Sequence, residues 1–415
     1  MNKKLMAVAV AGALAAPGVA LAQASSVTIS GYFQVGLESV AHSSPTVPAA
    51  ARRLNTSQMR VVDNASRIVF NSNEDLGNGL SAVAQLDVRY QPDQAGGVPT
   101  NNKIGEGSTW VGLKSNTMGR LIMGRYDLHY FKAGDDLFQR GGALDATSIA
   151  LFDFIGGTPI ANTSRTQNVV AYDMPNFNGL TATIAWSANP LNSTELDMIN
   201  TVGAAATAQG ITPGVVPGTV TAGVAGATSP VIGTTASRKG DGWNINPSYT
   251  NGPFNIGWSY WRAKADAPAA ATNDQRGDSV YGGYKFGGLK VGLAWNRSKL
   301  ENATTGIKAA ERTAWSLPIT YNWGPNTVAG HYTRASNISC DTGCVTNDTG
   351  ARMIAVAYIY DLSKRTALAA TYAKINNDSN AAYNLFTSAV LGSTDTATVA
   401  GESPRMLQLS IKHKF

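Results

Sequence analysis

The side chains of this sequence that could do chemistry are mainly arginines and aspartates, because other reactive groups are few. The chain has 415 residues, of which only 14% are charged, with four histidines and two cysteines. Residues 127–163 contain five aspartates, including Asp135 and Asp136, against one lysine and one arginine. The arginines outside this acidic stretch include Arg67, Arg89, Arg125 and Arg165. If folding brings the two sets together in a narrow space, their field would discriminate between small charged solutes.

The sequence contains no convincing catalytic or metal-binding pattern. Nucleophilic catalysis needs a hydroxyl or thiol beside a base that a third group holds in place. His331 shares strand parity with Thr333, but the sequence supplies no third member. No glycine-rich segment precedes a helix in the manner of a phosphate-binding loop, and the histidines are scattered. We therefore predict no enzyme activity, no metal site and no cofactor.

The first 22 residues have the order of a secretory signal peptide. Lys3 and Lys4 precede an apolar stretch that ends in Ala20-Leu21-Ala22. We expect cleavage after Ala22, which leaves residues 23–415 as the mature chain; an N-terminal membrane anchor is the alternative. Loss of the two lysines leaves 31 basic and 27 acidic residues. This excess is too small and dispersed to indicate a nucleic-acid partner.

Export also bears on the two cysteines. Exported chains meet oxidising conditions, and Cys340 and Cys344 are four positions apart. A metal site would need further ligands. A local disulfide is therefore favoured.

Beyond residue 25 the apolar residues repeat with a period of two, which is typical of β-strands. Between Leu80 and Tyr90 one face carries leucine, alanine, valine and tyrosine, whereas the other face is mostly polar. Similar stretches recur along the chain between polar breaks. The pattern predicts an all-β protein built from consecutive antiparallel strands.

The breaks between these strands alternate between short and long. The short ones are residues 75–79, 116–119, 175–179, 251–253, 287–288, 324–326 and 362–365. These seven hairpins, with one strand before and one after them, give sixteen strands. The largest breaks are residues 127–163, 190–237 and 378–403. Short turns at one end and long loops at the other are typical of outer-membrane barrels.

A sheet that spans a bilayer must close, because the bilayer core offers no water to the unpaired groups of a strand edge. We therefore predict a 16-stranded antiparallel transmembrane β-barrel over residues 23–415. A soluble β-sandwich or an adhesin array is the alternative. The strands of such soluble proteins are usually shorter than membrane-spanning strands, and their loops do not differ in length between the two ends of the sheet.

Several motifs occur in an order and spacing that cover essentially the whole mature chain. They are Ser26-Val-Thr-Ile-Ser-Gly-Tyr32, residues 65–77, Trp110-Val-Gly-Leu-Lys114 with Met123-Gly-Arg125, residues 165–177, Leu362-Ser-Lys-Arg-Thr366 and the terminal Phe415. Together they resemble the Gram-negative trimeric diffusion porins, particularly the betaproteobacterial type. The resemblance implies a homotrimer in the bacterial outer membrane, reached after export through the periplasm, with a third loop folded into the pore. It also implies contact with outer-membrane lipid and lipopolysaccharide, and an assembly machinery that reads Phe415 as its signal.

A barrel of about sixteen strands leaves a water-filled lumen. We therefore expect passive diffusion of small hydrophilic solutes and inorganic ions, with a weak to moderate preference for anions. The expected pore-constriction residues are Arg67, Arg89, Arg125 and Arg165 on the wall, with Asp135 and Asp136 on the loop. The alternatives are a substrate-specific channel for small organic acids or phosphate, and a surface adhesin barrel.

Strand parity predicts which of these arginines reach the lumen. Arg67 and Arg89 share parity with polar residues, so both should point inward. Arg125 shares the parity of apolar residues, although it stands where its strand leaves the membrane. Arg165 begins the strand after the loop, and Arg60, before the second strand, is a lesser candidate for the pore mouth.

Five aromatic residues fall toward strand ends, where amphipathic rings favour the lipid interfaces. They are Trp186, Trp258, Trp295, Trp323 and Tyr358. We interpret them as a girdle in contact with lipid. A carbohydrate-specific channel would instead place aromatic rings on the lumen face.

Overall fold

The computed structural model of the protein describes residues 25–43, 57–93, 104–129, 140–152, 154–155, 158–159, 165–188, 190–191, 240–265, 273–385 and 400–415. The predicted signal peptide (residues 1–22) and the predicted constriction residues Asp135 and Asp136 lie outside these described residues. No helix within the described ranges is long and apolar enough to cross a membrane.

The described residues form mainly β-strands. The strands are β1 (Ser26–Ser43), β2 (Ser57–Asp63), β3 (Arg67–Gly77), β4 (Leu80–Arg89), β5 (Thr109–Ser115), β6 (Gly119–Tyr126), β7 (Phe154–Ile155), β8 (Thr158–Pro159), β9 (Thr166–Asp173), β10 (Leu180–Ala188), β11 (Asp241–Asn251), β12 (Phe254–Lys264), β13 (Asn273–Phe286), β14 (Leu289–Asn302), β15 (Lys308–Trp323), β16 (Asn326–Ala335), β17 (Ala351–Asp361), β18 (Thr366–Asn377) and β19 (Ser403–Lys414). Between β6 and β7 lie a 3-10 turn (Leu144–Ala146) and a short helix (Ile149–Phe152). The small strands β7 and β8 pair only with each other.

The other strands form one antiparallel sheet that closes on itself. On one edge β1 pairs with β19, from Tyr32 opposite Lys414 to Ser43 opposite Ser403. On its other edge β1 pairs with β2 and then β3. β2 and β3 together cross the barrel wall once, so they count as one crossing of the sixteen. They are separated at residues 64–66, where Ala65 has a φ of 57°. The barrel therefore has sixteen crossings, which confirms the predicted strand number.

All seven predicted short turns join neighbouring strands of the barrel. In the turn between β3 and β4, Asn78 and Gly79 have φ values of 53° and 75°. Glycine adopts this left-handed conformation without steric cost, and asparagine tolerates it. The long connections lie at the opposite end of the barrel, which is the extracellular end in barrels of this kind.

The loop between β16 and β17 contains a disulfide between Cys340 and Cys344, with an S–S distance of 2.05 Å. Just before it, Ser339 and Glu311 of β15 exchange two backbone hydrogen bonds of 2.8 Å. The disulfide thus closes a small extracellular loop that is already attached to the wall.

The two faces of the strands differ in exposure and in size of side chain. Along β17 the outward Ile354, Val356 and Tyr358 are exposed, whereas the alternating inward Ala355 and Ala357 are buried. The same alternation of large exposed hydrophobic residues recurs around the barrel. An outward apolar band is what a lipid environment requires of a barrel.

The five aromatic residues predicted as a girdle all belong to this outward face. Trp186, Trp258, Trp295, Trp323 and Tyr358 are exposed on it, with relative accessibilities between 37% and 44%. None of these five rings lines the lumen.

The carboxyl terminus completes the seam between the last and first strands. The Phe415 backbone N–H donates a hydrogen bond of 3.2 Å to the carbonyl oxygen of Gly31. The Phe415 ring lies 5.5 Å from the ring of Phe33, centroid to centroid. Phe33 in turn contacts Tyr90 edge-on at 5.8 Å. The last residue is therefore part of the barrel wall.

Candidate functional site

The structure brings the four predicted arginines together on one side of the lumen. Arg67 at the start of β3 lies directly opposite Arg89 at the end of β4. Both guanidinium groups approach the buried carboxylate of Asp87, at 2.8 Å for Arg89 and 3.8 Å for Arg67. Arg67 keeps more of its side chain exposed than Arg89, at 23% against 6%. Arg67 is thus the better placed of the two to meet a solute.

Arg125 and Arg165 extend this group toward the third loop. The register of β6 against β9 shifts between Gly124 and Tyr126, so strict alternation fails at Arg125. The guanidinium of Arg125 interacts electrostatically with Arg165 and with Asp87. Strand parity alone would have turned this side chain toward lipid. We call Arg67, Arg89, Arg125 and Arg165 the arginine cluster.

Two carboxylates are held among these arginines by residues 104–108. The Ser108 backbone N–H donates to Asp87 at 3.3 Å, and its hydroxyl donates to Asp127 at 3.0 Å. Asp127 lies 3.6 Å from the guanidinium of Arg165. Gly107 permits the close approach, because a Cβ at this position would collide with the Asp87 carboxyl group.

Among the described residues, the cluster has more cations than anions. The carboxylates of Asp87, Glu106 and Asp127 interact with it, which are three anions for four guanidinium groups. Lys412 of β19 lies on the same side, with its Nζ atom 4.2 Å from the ring centroid of Tyr32. The guanidinium of Arg67 stacks on that ring at 5.0 Å. This part of the lumen wall therefore carries a small excess of positive charge.

The described part of the third loop, residues 140–152, lies against the inner wall beside the arginine cluster, from β1 and β19 round to β15. Its backbone is held by inward side chains of several strands. Gln34 donates to the carbonyls of Gly141 (2.9 Å) and Gly142 (2.8 Å), Ser410 donates to Gly141 (3.0 Å), Thr371 accepts from Ala143 (3.1 Å), Asn64 accepts from Leu144 (2.8 Å), and Arg312 donates to Phe152 (2.6 Å). These contacts place the segment inside the barrel.

An apolar contact accompanies these hydrogen bonds. The helix from Ile149 to Phe152 is fully buried and packs against β15, β16 and β17. The inward side chains there are small, including Ala355 and Ala357. Small inward residues leave room for the loop, which therefore narrows the lumen along this wall.

A buried ionic trio fixes the 3-10 turn of the loop. The Arg60 guanidinium lies 2.8 Å from Glu38 and 3.4 Å from Asp145. Gln408 donates to the other oxygen of Glu38 at 2.7 Å. Burial, together with the nearby carboxylate of Glu38, raises the pKa of Asp145 well above its ordinary value, although Arg60 opposes this shift. Two carboxylates here share one cation.

Arg60 is occupied in the ionic trio and is not a free cation at the pore mouth. Arg60 belongs to β2, and only 14% of its side chain is exposed because it neutralises Glu38 and Asp145. The loop carboxylate of Asp145 is likewise turned toward Arg60 and not toward the arginine cluster. Within the described residues, the cluster finds its counter-ions on the wall and the 104–108 segment.

A family model described as Gram-negative porin matches residues 7–380. The chain belongs to the Gram-negative porin family. An outer membrane porin protein of Bordetella pertussis is 27% identical over 341 residues, which are 75% of this chain and 78% of that protein. Outer membrane porin protein 32 of Delftia acidovorans is 26% identical and covers 100% of both chains. The family resemblance of the sequence motifs is thereby confirmed.

The solved structures that this porin resembles share its fold. An anion-selective porin from Comamonas acidovorans superposes with a TM-score of 0.65 at 21% identity, covering 94% of this chain and 100% of that chain. OmpT of Vibrio cholerae in its trimer form gives a TM-score of 0.57 at 10% identity over 94% of this chain and 100% of that chain. The protein is an outer-membrane porin, and its relatives are channels and not enzymes.

The structural roles of several polar residues of the porin lumen were not predicted from the sequence. Asp87 and Asp127 form the counter-charges of the arginine cluster, while Arg312 and His331 hold the third loop. Strand parity placed these residues on the inward face. The partners of Arg312 and His331, however, are more than a hundred residues away in the sequence. Among the described residues, no group of three or more His, Cys, Asp or Glu side chains could hold a metal ion.

Proposed function

We propose that this porin forms a water-filled channel for passive diffusion of small hydrophilic solutes and inorganic ions, with a weak to moderate preference for anions. The observation that carries this proposal is the arginine cluster, in which four guanidinium groups share three carboxylates. A small excess of cations in a narrow lumen attracts anions modestly. The similar porin from Comamonas acidovorans is anion-selective, which supports the same sign of preference.

We further propose that the chain has no catalytic role. His331 was the one strand histidine with a hydroxyl partner on matching parity. Its Nδ1 contacts the Thr333 hydroxyl at 2.9 Å, while its Nε2 faces the carbonyl oxygen of Ala146 at 2.8 Å. One ring nitrogen thus contacts the wall and the other attaches the third loop, which is a structural use of this histidine.

Planar-bilayer recording in a KCl gradient tests the channel proposal. The wild-type protein should give stepwise current increases, and the zero-current potential should have the sign of net chloride permeation. A surface adhesin would give no steps. A zero-current potential of the opposite sign would contradict the anion preference. Current that saturates with added phosphate or a small organic acid would favour the substrate-specific alternative.

We propose a homotrimer with its contact on the outer side of the first and last strands. A shallow apolar groove of about 730 Å³ lies there, lined by outward residues that include Leu37, Val61, Tyr358, Leu368 and Leu409. Burial of such a surface between copies removes apolar area from the environment and improves packing. A trimer form is described for the similar OmpT of Vibrio cholerae. The remainder of the outward band would contact outer-membrane lipid and lipopolysaccharide.

Deleting Phe415 tests the proposal that the assembly machinery reads the terminal strand. Because Phe415 completes the seam with Gly31 and Phe33, its loss should lower the amount of folded trimer severalfold on unheated gels. Phe177→Ser is a matched control, since Phe177 is an exposed aromatic residue in a periplasmic turn. Undiminished trimer after deletion of Phe415, or equal loss in both variants, would contradict the assignment.

A further inference from the structure

The outward face of the barrel has a polar cleft near the extracellular ends of β15, β16 and β17. The cleft has a volume of about 460 Å³, and its lining includes Trp315, Tyr332, Arg334, Arg352, Asn337 and Asp378. It lies outside the lumen, because its strand residues share parity with exposed hydrophobic residues such as Ile354. The channel function described above makes no use of it.

Two arginines stand side by side in this cleft. Arg334 of β16 is directly opposite Arg352 of β17 in the ladder, and both side chains are exposed. Like charges in directly opposed positions destabilise a sheet unless an anion compensates them. Neither guanidinium forms an ion pair or hydrogen bond with a described residue. We call Arg334 and Arg352 the outer arginine pair.

Two outward arginines on β13 and β14 have carboxylate partners. Arg276 lies 3.7 Å from Asp278, and Arg297 lies 3.1 Å from Glu311. These side chains have carboxylate partners within the protein. At the outer arginine pair the nearest acid of the lining, Asp378, does not approach either guanidinium within 4.0 Å. The pair is therefore available to an external anion.

The surroundings of the pair indicate an amphiphilic anion. Trp315 lies opposite Arg334, and its ring is 5.3 Å from the ring of Tyr332. Tryptophan and tyrosine favour the level of lipid headgroups. On the periplasmic side of the pair the outward wall becomes apolar, with Ile354 and Val356 exposed. A headgroup at the cleft would thus leave its acyl chains along this apolar wall.

A third cation lies on the periplasmic side of the pair. Lys374 of β18 is opposite Ile354, which is two residues beyond Arg352 on the outward face of β17. Guanidinium groups bind phosphate in a bidentate manner, and lysine adds a point charge. Basic surface pockets at the membrane boundary bind anionic headgroups by the same chemistry.

We propose that the outer arginine pair, with Lys374, binds the phosphate groups of a phosphorylated lipid of the outer leaflet. The proposal rests on the outer-membrane location of the barrel and names the residues that would contact such a lipid. It is independent of ion selectivity, because the cleft and the lumen lie on opposite faces of the wall.

The test compares binding of diphosphorylated lipid A, in mixed detergent micelles, to the wild-type porin and to Arg334→Gln/Arg352→Gln. The double variant should bind about tenfold more weakly, since two charge-assisted contacts to phosphate are lost. Arg276→Gln/Arg297→Gln is the matched control, because it removes two outward arginines that have carboxylate partners. This control should change the affinity less than about twofold. Single-channel conductance and behaviour on unheated gels should stay unchanged in both variants.

Three arms of the experiment distinguish the sources of the anion. Lipid A from which the phosphates have been removed should bind the wild type as weakly as the double variant does. Inorganic phosphate should compete only weakly, because it lacks the acyl chains. Full competition by inorganic phosphate, equal losses in the two double variants, or loss of the oligomer in Arg334→Gln/Arg352→Gln would each overturn the proposal. The last result would assign the cleft to a contact between copies of the chain.

Discussion

Replacing Arg67 and Arg125 together by glutamine is expected to change the anion-to-cation permeability ratio about tenfold in favour of cations. The two residues belong to the arginine cluster, where three carboxylates would then face only two guanidinium groups. The local charge would thus change sign. The zero-current potential in a KCl gradient measures the effect directly.

The expected size follows from the Coulomb energy of a permeating ion. A unit charge about 8 Å from the ion contributes about 0.5 kcal/mol in bulk water and about 2 kcal/mol at an effective dielectric constant near 20. Two charges at intermediate dielectric therefore account for about 1–2 kcal/mol, or roughly tenfold in a ratio. Salt screens the interaction over about 10 Å at 0.1 M, so the shift should shrink as the KCl concentration rises.

Two further variants check that the cluster is responsible. Asp127→Asn removes a counter-charge of Arg165 and should move the potential in the opposite direction, toward anions. Lys308→Gln removes a cation at the extracellular start of β15, where the side chain faces Asp341, and should change the potential much less. Equal shifts from Lys308→Gln and from the cluster variant would show that general charge, and not the cluster, sets the preference.

Sequence reasoning predicted the barrel well because its signals are local. A period of two in apolar residues and the turn chemistry of each short break are contained within about ten residues. The interruption of the second crossing was missed, since Ala65 carries no recognisable signal for its positive φ. Likewise, the bulge beside Gly124 reverses what parity predicts for Arg125.

The site was predicted less completely because its pairings are long-range. The cluster of like-charged arginines followed from parity and family resemblance. The function of Arg60 did not, because Glu38 and Asp145 come from a different strand and from the third loop. Sequence alone predicts that a charged residue faces solvent, because the segment that covers it is not known. The segment that covers Arg60 contains Asp145, 85 residues further along the chain.

Replacing Arg60 by methionine is expected to release the third loop from the wall. The variant leaves the buried carboxylates of Glu38 and Asp145 without their shared cation. Removing one partner of a buried ion pair costs about 3–5 kcal/mol, because the remaining charge is uncompensated. At neutral pH the channel should therefore show a larger and noisier single-channel conductance than the wild type.

The defect should depend on pH in a defined direction. Asp145 has a raised pKa while the loop is docked, so the docked state binds more protons than the released state. The stabilising contribution of that proton is fully present below about pH 4, the ordinary range of an aspartate, and declines as pH rises through the raised pKa. Without Arg60 the pKa of Asp145 should rise further. Lowering the pH from neutral toward about pH 4, the ordinary range of an aspartate, should then return the Arg60→Met conductance toward the wild-type value.

Two variants separate release of the loop from general misfolding. Arg60→Lys keeps a cation between the carboxylates and should remain close to the wild type at neutral pH. Asp145→Asn in the Arg60→Met background removes one of the two uncompensated charges, so it should make the conductance quieter and weaken its pH dependence. Glu38 would retain its hydrogen bond from Gln408 in this background. If Arg60→Met conducts like the wild type at every pH, or if Asp145→Asn does not correct it, the trio does not hold the loop.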